Sequence, residues 1–464
     1  MNITLASQTT DFWTFDTKLL VASAAVSLAL VCAFLALFSV EAAAVVIALV
    51  AVAAVLARPF IGIPVVFLLG MLGDLQHFTG GISVVKGVMF LMVVAFLARR
   101  PLATMRERAT GIEIPLVVFI ALYILGNLIS PNETYSSSVL VTWLGYPFAF
   151  LIVLYLVRTK RQIEWVLAAL VVGAVLASCS TVLEQFTGIN LLSSVRGVNE
   201  VIASNGPEGM DRISGLFQEA NAAAYMYILA IPVLVALLLT DRSRAQKVVA
   251  FVMMLCCMFG LLISFSRSGY IAVLVALLCI LFFLKFRKAI WIFTSVAVLV
   301  VLLSPLIPFT AVADRFFQIQ DEVGGESDRT LYYMTSARLL IEHPLIPAGE
   351  DQFMSDIADR TGVKQGPHSN IMSAGVNAGV IGFVAILWLF VSYALYVRRG
   401  LRETPPSALR WYAIATYAGM IGFQIQGLFM TNFGWFMMWA GAALPLCCIL
   451  AAKQEQQRRA SQFA

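Results

Sequence analysis

The amino-acid sequence predicts an all-α integral membrane protein with about 12–14 transmembrane helices and one long folded loop on its outer side. Three observations lead there. Of the 464 residues 60% are hydrophobic and only 12% charged, whereas a soluble protein carries roughly 25% charged residues to solvate its surface. The apolar residues come in blocks such as Leu19–Val40, Val248–Phe265 and Ala289–Leu306, which approach or reach the ~20 residues that cross the hydrocarbon core. Inside lipid each backbone group must be satisfied within its own segment, which makes these blocks helices. Finally, the basic residues form short clusters at the ends of the blocks, on one side if the intervening spans are counted in pairs, as the positive-inside rule requires.

In chain order the spans fall near 19–40, 41–57, 59–73, 82–98, 112–131, 137–157, 162–185, 221–240, 248–265, 268–286, 289–308, 369–397, 409–430 and 434–452. Only Glu41 and Arg58–Pro59 separate the first three, and the short second and third segments are tilted or re-entrant if the total is a dozen. Met1–Lys18 carries Asp11 and Asp16 and lacks a basic head, so Leu19–Val40 is expected to be a retained helix, not a cleaved signal. The clusters Arg99–Arg108, Arg158–Arg161, Arg242–Lys247, Lys285–Lys288, Arg398–Arg402 and Lys453–Arg459 mark the cytoplasmic side, and a +5 chain with its charges so placed has no nucleic-acid partner. All seven cysteines lie in or at the ends of apolar runs and none forms a CxxC, which argues against a disulfide framework or a thiolate metal site.

The outer side receives short turns at 74–81 and 132–136, a loop near 186–220 and a long loop near 309–368. That last loop holds ten acidic and five basic residues, a balance of −5 in a chain of +5, as an outward-facing segment should. Ser327 is placed to cap a helix running to about Glu342 and stopped by Pro344, so the loop is expected to fold over the bundle. The chain divides into N-terminal transmembrane helices (1–185), a second region (186–452) that contains the 309–368 loop, and a cytoplasmic tail (453–464).

Three polar constellations face that outer side. Met210-Asp-Arg-Ile-Ser-Gly-Leu-Phe217 leads through Gln218-Glu-Ala-Asn221 into a span and puts Arg212 at a helix mouth. Ser264-Phe-Ser-Arg-Ser-Gly-Tyr270 is a tight turn carrying Arg267 between two apolar helices. A guanidinium costs roughly 2.5–3.5 kcal/mol at a helix centre and less near the interface, a cost that an anionic head group would offset. Gln365-Gly-Pro-His-Ser-Asn370 places His368 where the long loop re-enters the membrane. Arginine forms bidentate, charge-assisted bonds with phosphate oxygens, and two of them can neutralise a leaving diphosphate without a metal ion. An imidazole with its ordinary pKa near ~6.5 can take a proton from a sugar hydroxyl. The chemistry these residues share is glycosyl transfer from a polyprenyl diphosphate.

Each residue also has a structural reading. Arg267 can snorkel at the interface, Arg212 can pair with Asp211 in a solvated loop, and His368 can cap the helix that follows. Lys86, near the outer end of its span, is a further candidate for a phosphate clamp, with snorkelling favoured. His343 and His77 are assigned structural and interfacial roles, Asp321–Asp328 a solvated acidic stretch, and Gly375-x-x-x-Gly379 a close helix-packing face.

The chain resembles the bacterial O-antigen ligase and O-antigen polymerase superfamily, GT-C-like membrane glycosyltransferases. The resemblance rests on Arg212-Ile-Ser-Gly-Leu-Phe with Asn221, Ser266-Arg267-Ser268-Gly269, His343-Pro-Leu-Ile-Pro-Ala-Gly349 with Phe353, and His368-Ser-Asn370 running into Gly375, Gly379 and Val380-Ile-Gly382. It covers roughly 200–400; the N-terminal third matches in hydropathy alone. Pro347 departs from the family, which tends to have glycine there. The resemblance implies that Arg212 and Arg267 bind the diphosphate, that His368 activates the acceptor, and that no metal or cofactor takes part. It implies an undecaprenyl-diphosphate-linked glycan as donor, a glycan or lipid A-core as acceptor, and a bacterial inner membrane with the active site on the periplasmic side. A rival from another class is a multi-pass transporter or flippase, whose paired half-sequences with broken helices have no counterpart here, because the long loop occurs in one half only.

Overall fold

A computed structural model describes residues 50–73, 83–98, 108–130, 137–192, 213–217, 219–284, 328–362 and 364–463. The described elements are helices. A 3-10 turn at Pro59–Ile61 leads into α1 (Gly62–Met71), followed by α2 (Val84–Leu97), α3 (Glu113–Ile129), α4 (Ser137–Leu156), α5 (Lys160–Thr187), α6 (Ala220–Leu239), α7 (Arg244–Ile263) and α8 (Arg267–Phe282). Two helices of the long loop come next, α9 (Asp328–Glu342) and α10 (Glu350–Thr361), and then α11 (Asn370–Glu403), α12 (Ala408–Gln426) and α13 (Phe436–Phe463). Among the described residues five helices, α5, α6, α7, α11 and α13, are long and apolar enough to cross a membrane. The chain is an all-α, multi-pass membrane protein. The spans expected at 19–40 and 289–308 and most of that at 41–57 lie outside the described residues, as does the expected cap Ser327.

The bundle is built around α12, which packs against α6, α8 and α13 and has no exposed residue. α11 lies against α3, α13 against α4, and α5 joins α1 and α7. Local sequence sets several helix starts. Thr159 and Ser243 each form a reciprocal capping box with a glutamine three residues on, so α5 and α7 begin at the basic end of the bundle with two orphan N–H groups satisfied. At that end Arg242 from the α6–α7 turn donates at 2.6 Å to both Glu164 of α5 and Tyr412 of α12, and Lys453 reaches Glu403 at 2.7 Å.

α11 is the irregular element. Gly379 has φ 63° and ψ −165°, a conformation open essentially to glycine alone. The helix folds back there, so sharply that a Cβ on Gly382 would stand 3.2 Å from the carbonyl oxygen of Ala374. The break exposes backbone groups inside the protein, and Pro344–Gly349 satisfies two of them. Val380 N–H donates to Pro344 O at 2.9 Å, and Gly349 N–H donates to Val376 O at 3.1 Å. Ser130 Oγ at the end of α3 donates to Ala348 O at 2.7 Å and fixes the segment from its other side. The assignment of Gly375 and Gly379 to one helix-packing face is therefore corrected. Gly379 is the break, and the tight approach belongs to Gly126 of α3, where a Cβ would meet Asn377 O at 2.1 Å.

Beyond the break, Val380, Ile381, Val384, Trp388, Val391 and Leu395 are exposed at helical spacing, a stripe suited to hydrocarbon. The long loop is folded over the bundle where it is described. Tyr332, Leu339, Ala348, Phe353, Ile357 and Val376 form its own apolar cluster against α11.

Gly379→Ala puts a methyl group 2.6 Å from Pro344 O at a positive φ and should destabilise the protein by about 1–3 kcal/mol. Gly87→Ala, where a Cβ meets nothing within 4 Å, should leave stability unchanged or raise it by up to ~1 kcal/mol. Thermal unfolding in detergent compares the two, and equal melting temperatures would refute the assigned role of Gly379.

Candidate functional site

Two of the expected residues, Arg267 and His368, come to the C-terminal end of α12, the end away from the basic clusters. α12 ends at Gln426, and the next residues re-enter the protein before α13 begins. Asn370, the first residue of α11, donates its backbone N–H to Gly427 O at 2.7 Å. Its side-chain oxygen accepts the backbone N–H of Asn432 at 2.8 Å. A backbone N–H is only a donor, so this bond fixes which way the Asn370 amide points. Asn370 Nδ2 therefore donates to Asn432 Oδ1 at 2.5 Å and to Gln424 Oε1 at 3.3 Å, and Asn432 Nδ2 in turn donates to Phe423 O at 3.2 Å. Asn370 is 1% exposed and Asn432 0%, so the knot is sealed from water.

A second set of bonds reaches the same end of α12 from the opposite side. Gln426 Nε2 donates to the carbonyl of Asn221, at the start of α6, at 2.9 Å. Asn221 Oδ1 accepts from Ser266 Oγ at 2.8 Å, and Ser266 caps α8 by accepting the Gly269 N–H at 3.3 Å. Arg267 is the next residue after that cap, half-buried as the first residue of α8. Consecutive residues Gln426 and Gly427 thus tie down the segments that carry Arg267 and His368. The N-termini of α6, α8 and α11 meet there, and their partial positive charges favour an anion.

His368 sits two residues before Asn370, half-buried. Its Nε2 lies 3.2 Å from Gln365 Oε1, the same oxygen that accepts the Tyr332 hydroxyl, and its ring stands 4.9 Å from that of Tyr332. The His368 backbone is held from below as well, where Thr431 Oγ1 donates to Pro367 O. α9 covers this corner: Tyr333 donates to Leu428 O, and Arg329 lies 5.6 Å over the Phe429 ring. Burial pushes the Tyr333 phenol up, with Arg329 pulling partly back, so it stays a donor at neutral pH.

The structure brings Arg267 and His368 to one end of one helix. Arg212 lies outside the described residues; its chain neighbours Ile213–Phe217 are described, with Gly215 N–H donating to Glu184 Oε2 at 2.9 Å and Phe217 stacked 6.2 Å from Trp435. Lys86 is exposed on α2, which packs against the 3-10 turn, α1 and α4, away from the helices that carry Arg267 and His368. His77 lies outside the described residues, and His343 is exposed where α9 closes, with its N–H donating to Leu339 O at 2.9 Å. Sequence reasoning missed Gln424, Gln426 and Asn432. The signal was there: two glutamines inside the apolar run 409–430 and an asparagine just beyond it are expensive in a membrane unless they bond to something.

A family model described as O-antigen ligase matches residues 249–387, a stretch that contains Arg267, the long loop and His368. No curated protein matches the chain.

Asn370→Asp keeps the size of the side chain and removes both of its donors, setting a carboxylate against Asn432 Oδ1 and Gln424 Oε1. It should lower stability by at least about 2 kcal/mol, read as a reduced melting temperature. A variant as stable as the parent would remove the knot from the account.

Proposed function

On the premise that residues 249–387 are an O-antigen ligase domain, which supports assigning the chain to the O-antigen ligase/polymerase family, we propose that the protein transfers a preassembled glycan from undecaprenyl diphosphate to an acceptor on the periplasmic side of a bacterial inner membrane. The observation that supports this reading is the pair of ties at Gln426 and Gly427, which draw the segments carrying Arg267 and His368 to one end of α12, beside three helix N-termini.

In this reading Arg267 and Arg212 hold the diphosphate by charge-assisted bonds, and the helix termini add to the positive field, so that no metal ion is needed. The acceptor hydroxyl oxygen attacks the anomeric carbon. The bond from that carbon to the phosphate oxygen breaks, and undecaprenyl diphosphate leaves with the electron pair. The hydroxyl proton passes to His368. In this reading Nε2, facing the Gln365 oxygen, carries the N–H, and Nδ1 is the base. Lys86 is left at the outer rim, an exposed ammonium that draws anionic head groups toward the bundle.

The acceptor is another lipid-linked repeat in a polymerase and a lipid A-core in a ligase. The long acidic loop, folded against α11 beside His368, favours polymerisation by offering a surface for a glycan chain. The transporter reading predicts energy-coupled uptake by proteoliposomes without glycan lengthening.

Purified protein given a lipid-linked oligosaccharide should release undecaprenyl diphosphate. His368→Ala should cut that release by about 100-fold or more with the melting temperature unchanged; normal turnover would end the assignment of the base. Arg267→Lys keeps the charge and loses the bidentate fork, and should slow turnover by at least about tenfold. Gln365→Glu places a carboxylate 3.2 Å from the imidazole, which favours the charged ring and raises its pKa. The unprotonated base then appears only at higher pH, so the acidic limb of the pH–rate profile should move up by about one unit. A profile that stays in place would show that Gln365 does not address His368.

A further inference from the structure

A cavity of about 220 Å³ opens along the seam between α12 and the part of α11 beyond Gly379. The two helices are consecutive in the chain, yet α11 packs chiefly on α3, and α12 on α6, α8 and α13. The face of α12 toward the seam is Tyr417, Ile421, Gln424 and Ile425, all half-buried while most of the helix is buried. Aliphatic side chains and four aromatic rings make the other walls, the rings including Phe390 and Tyr393 of α11 and Trp439 of α13. The Tyr393 hydroxyl is already used, donating to Ala442 O at 2.9 Å.

Gln424 is the single amide on this apolar lining. Because the Asn432 backbone N–H fixes the Asn370 amide, Gln424 Oε1 is the atom that faces Asn370, and its NH2 group is left at the other corner of the amide. No described residue accepts from it. Two N–H donors on an apolar lining without an acceptor are costly, and a ligand oxygen would remove that cost. The cavity therefore has the features of an amphiphile site: a donor pair at its outward end, next to the Asn370 knot, and an aromatic and aliphatic slot descending from it past Ile421 to Tyr417.

We propose that this seam holds the first units of the isoprenoid chain of the lipid-linked donor, with the Gln424 NH2 group on an oxygen of its lipid-proximal phosphate. The proposal rests on the transferase reading, which puts the donor's diphosphate at the end of α12 that carries Arg267 and His368, beside the Asn370 that Gln424 touches. The seam commits to that occupant through its continuity with the site. A chain whose head lies over the knot has its first units at Gln424, and Ile421 and Tyr417 follow at one-turn intervals along the same face of α12. Met420 and Met438 also line the slot, adaptable side chains that suit a branched chain.

The test uses full-length protein in nanodiscs of phosphatidylethanolamine and phosphatidylglycerol containing undecaprenyl diphosphate, with a photoreactive benzophenone side chain replacing Phe390. Cross-linked lipid is identified by mass spectrometry. The prenyl adduct should exceed its mole fraction in the disc at least tenfold. Ala394→Trp and Ile421→Trp, on facing walls of the seam, should each lower that adduct at least tenfold and raise the KM for the donor, with size-exclusion profiles like the parent's. Adducts that follow the bulk lipid ratio, or prenyl adducts that both indoles leave unchanged, would overturn the proposal. The cross-link does not require turnover: a prenyl adduct in a protein that transfers no glycan would sink the transferase reading and keep the seam, and transfer without the adduct would do the reverse.

Discussion

The outward end of α12 depends on a buried amide, Asn370, whose every hydrogen-bonding group is taken. It has a backbone bond to Gly427, a backbone N–H from Asn432 on its oxygen, and two oxygens on its nitrogen. In low dielectric such a network is strong when fully satisfied and expensive when broken. It matters because lipid offers no hydrophobic drive between helices; packing and internal polar bonds must set where they sit. α12 is pinned by the Arg242–Glu164–Tyr412 cluster at its basic end and by the amides at the other. Between those pins its apolar surface serves as the axis on which α6, α8 and α13 pack.

From that axis the placement of both candidate residues follows in short steps. Ser266 caps α8, Asn221 reads Ser266, and Gln426 reads Asn221; the cap fixes the backbone of Arg267, the next residue. The knot fixes Asn370, and with it the turn that presents His368 to Gln365 and Tyr332. Groups that are separated by about a hundred residues of sequence are positioned by neighbouring residues of a single helix end. Each carries a short, stiff connection to the pin, which is the condition for a preorganised site.

Helices were legible in the sequence wherever the apolar blocks were long and their ends were marked. The spans expected at 112–131, 162–185, 221–240 and 409–430 appear as Glu113–Ile129, Lys160–Thr187, Ala220–Leu239 and Ala408–Gln426. Basic clusters and capping residues gave those boundaries a physical cause. Arg267 and His368 stood out as candidates because an arginine in a turn between apolar helices and a histidine at the end of a long loop are costly placements. Less was visible where tertiary bonds override local pattern. α10 has few apolar residues, and only Phe353 and Ile357, one turn apart, bury it. The reversal at Gly379 read as smooth packing because its cause, the carbonyl of Pro344 and the N–H of Gly349, comes from thirty residues upstream. Gln424 and Asn432 had no visible partners in the sequence, since the backbone geometry that pairs them exists only after the chain turns back at Gly427.

The docking of Pro344–Gly349 into the interrupted α11 carries a mechanical corollary. Residues Asn370–Ala378 form a short rod gripped by the amide knot at its foot and by the loop's backbone at its head. A displacement of Pro344–Gly349 would pass along that rod to the turn bearing His368, so that loop and turn behave as the two arms of one lever.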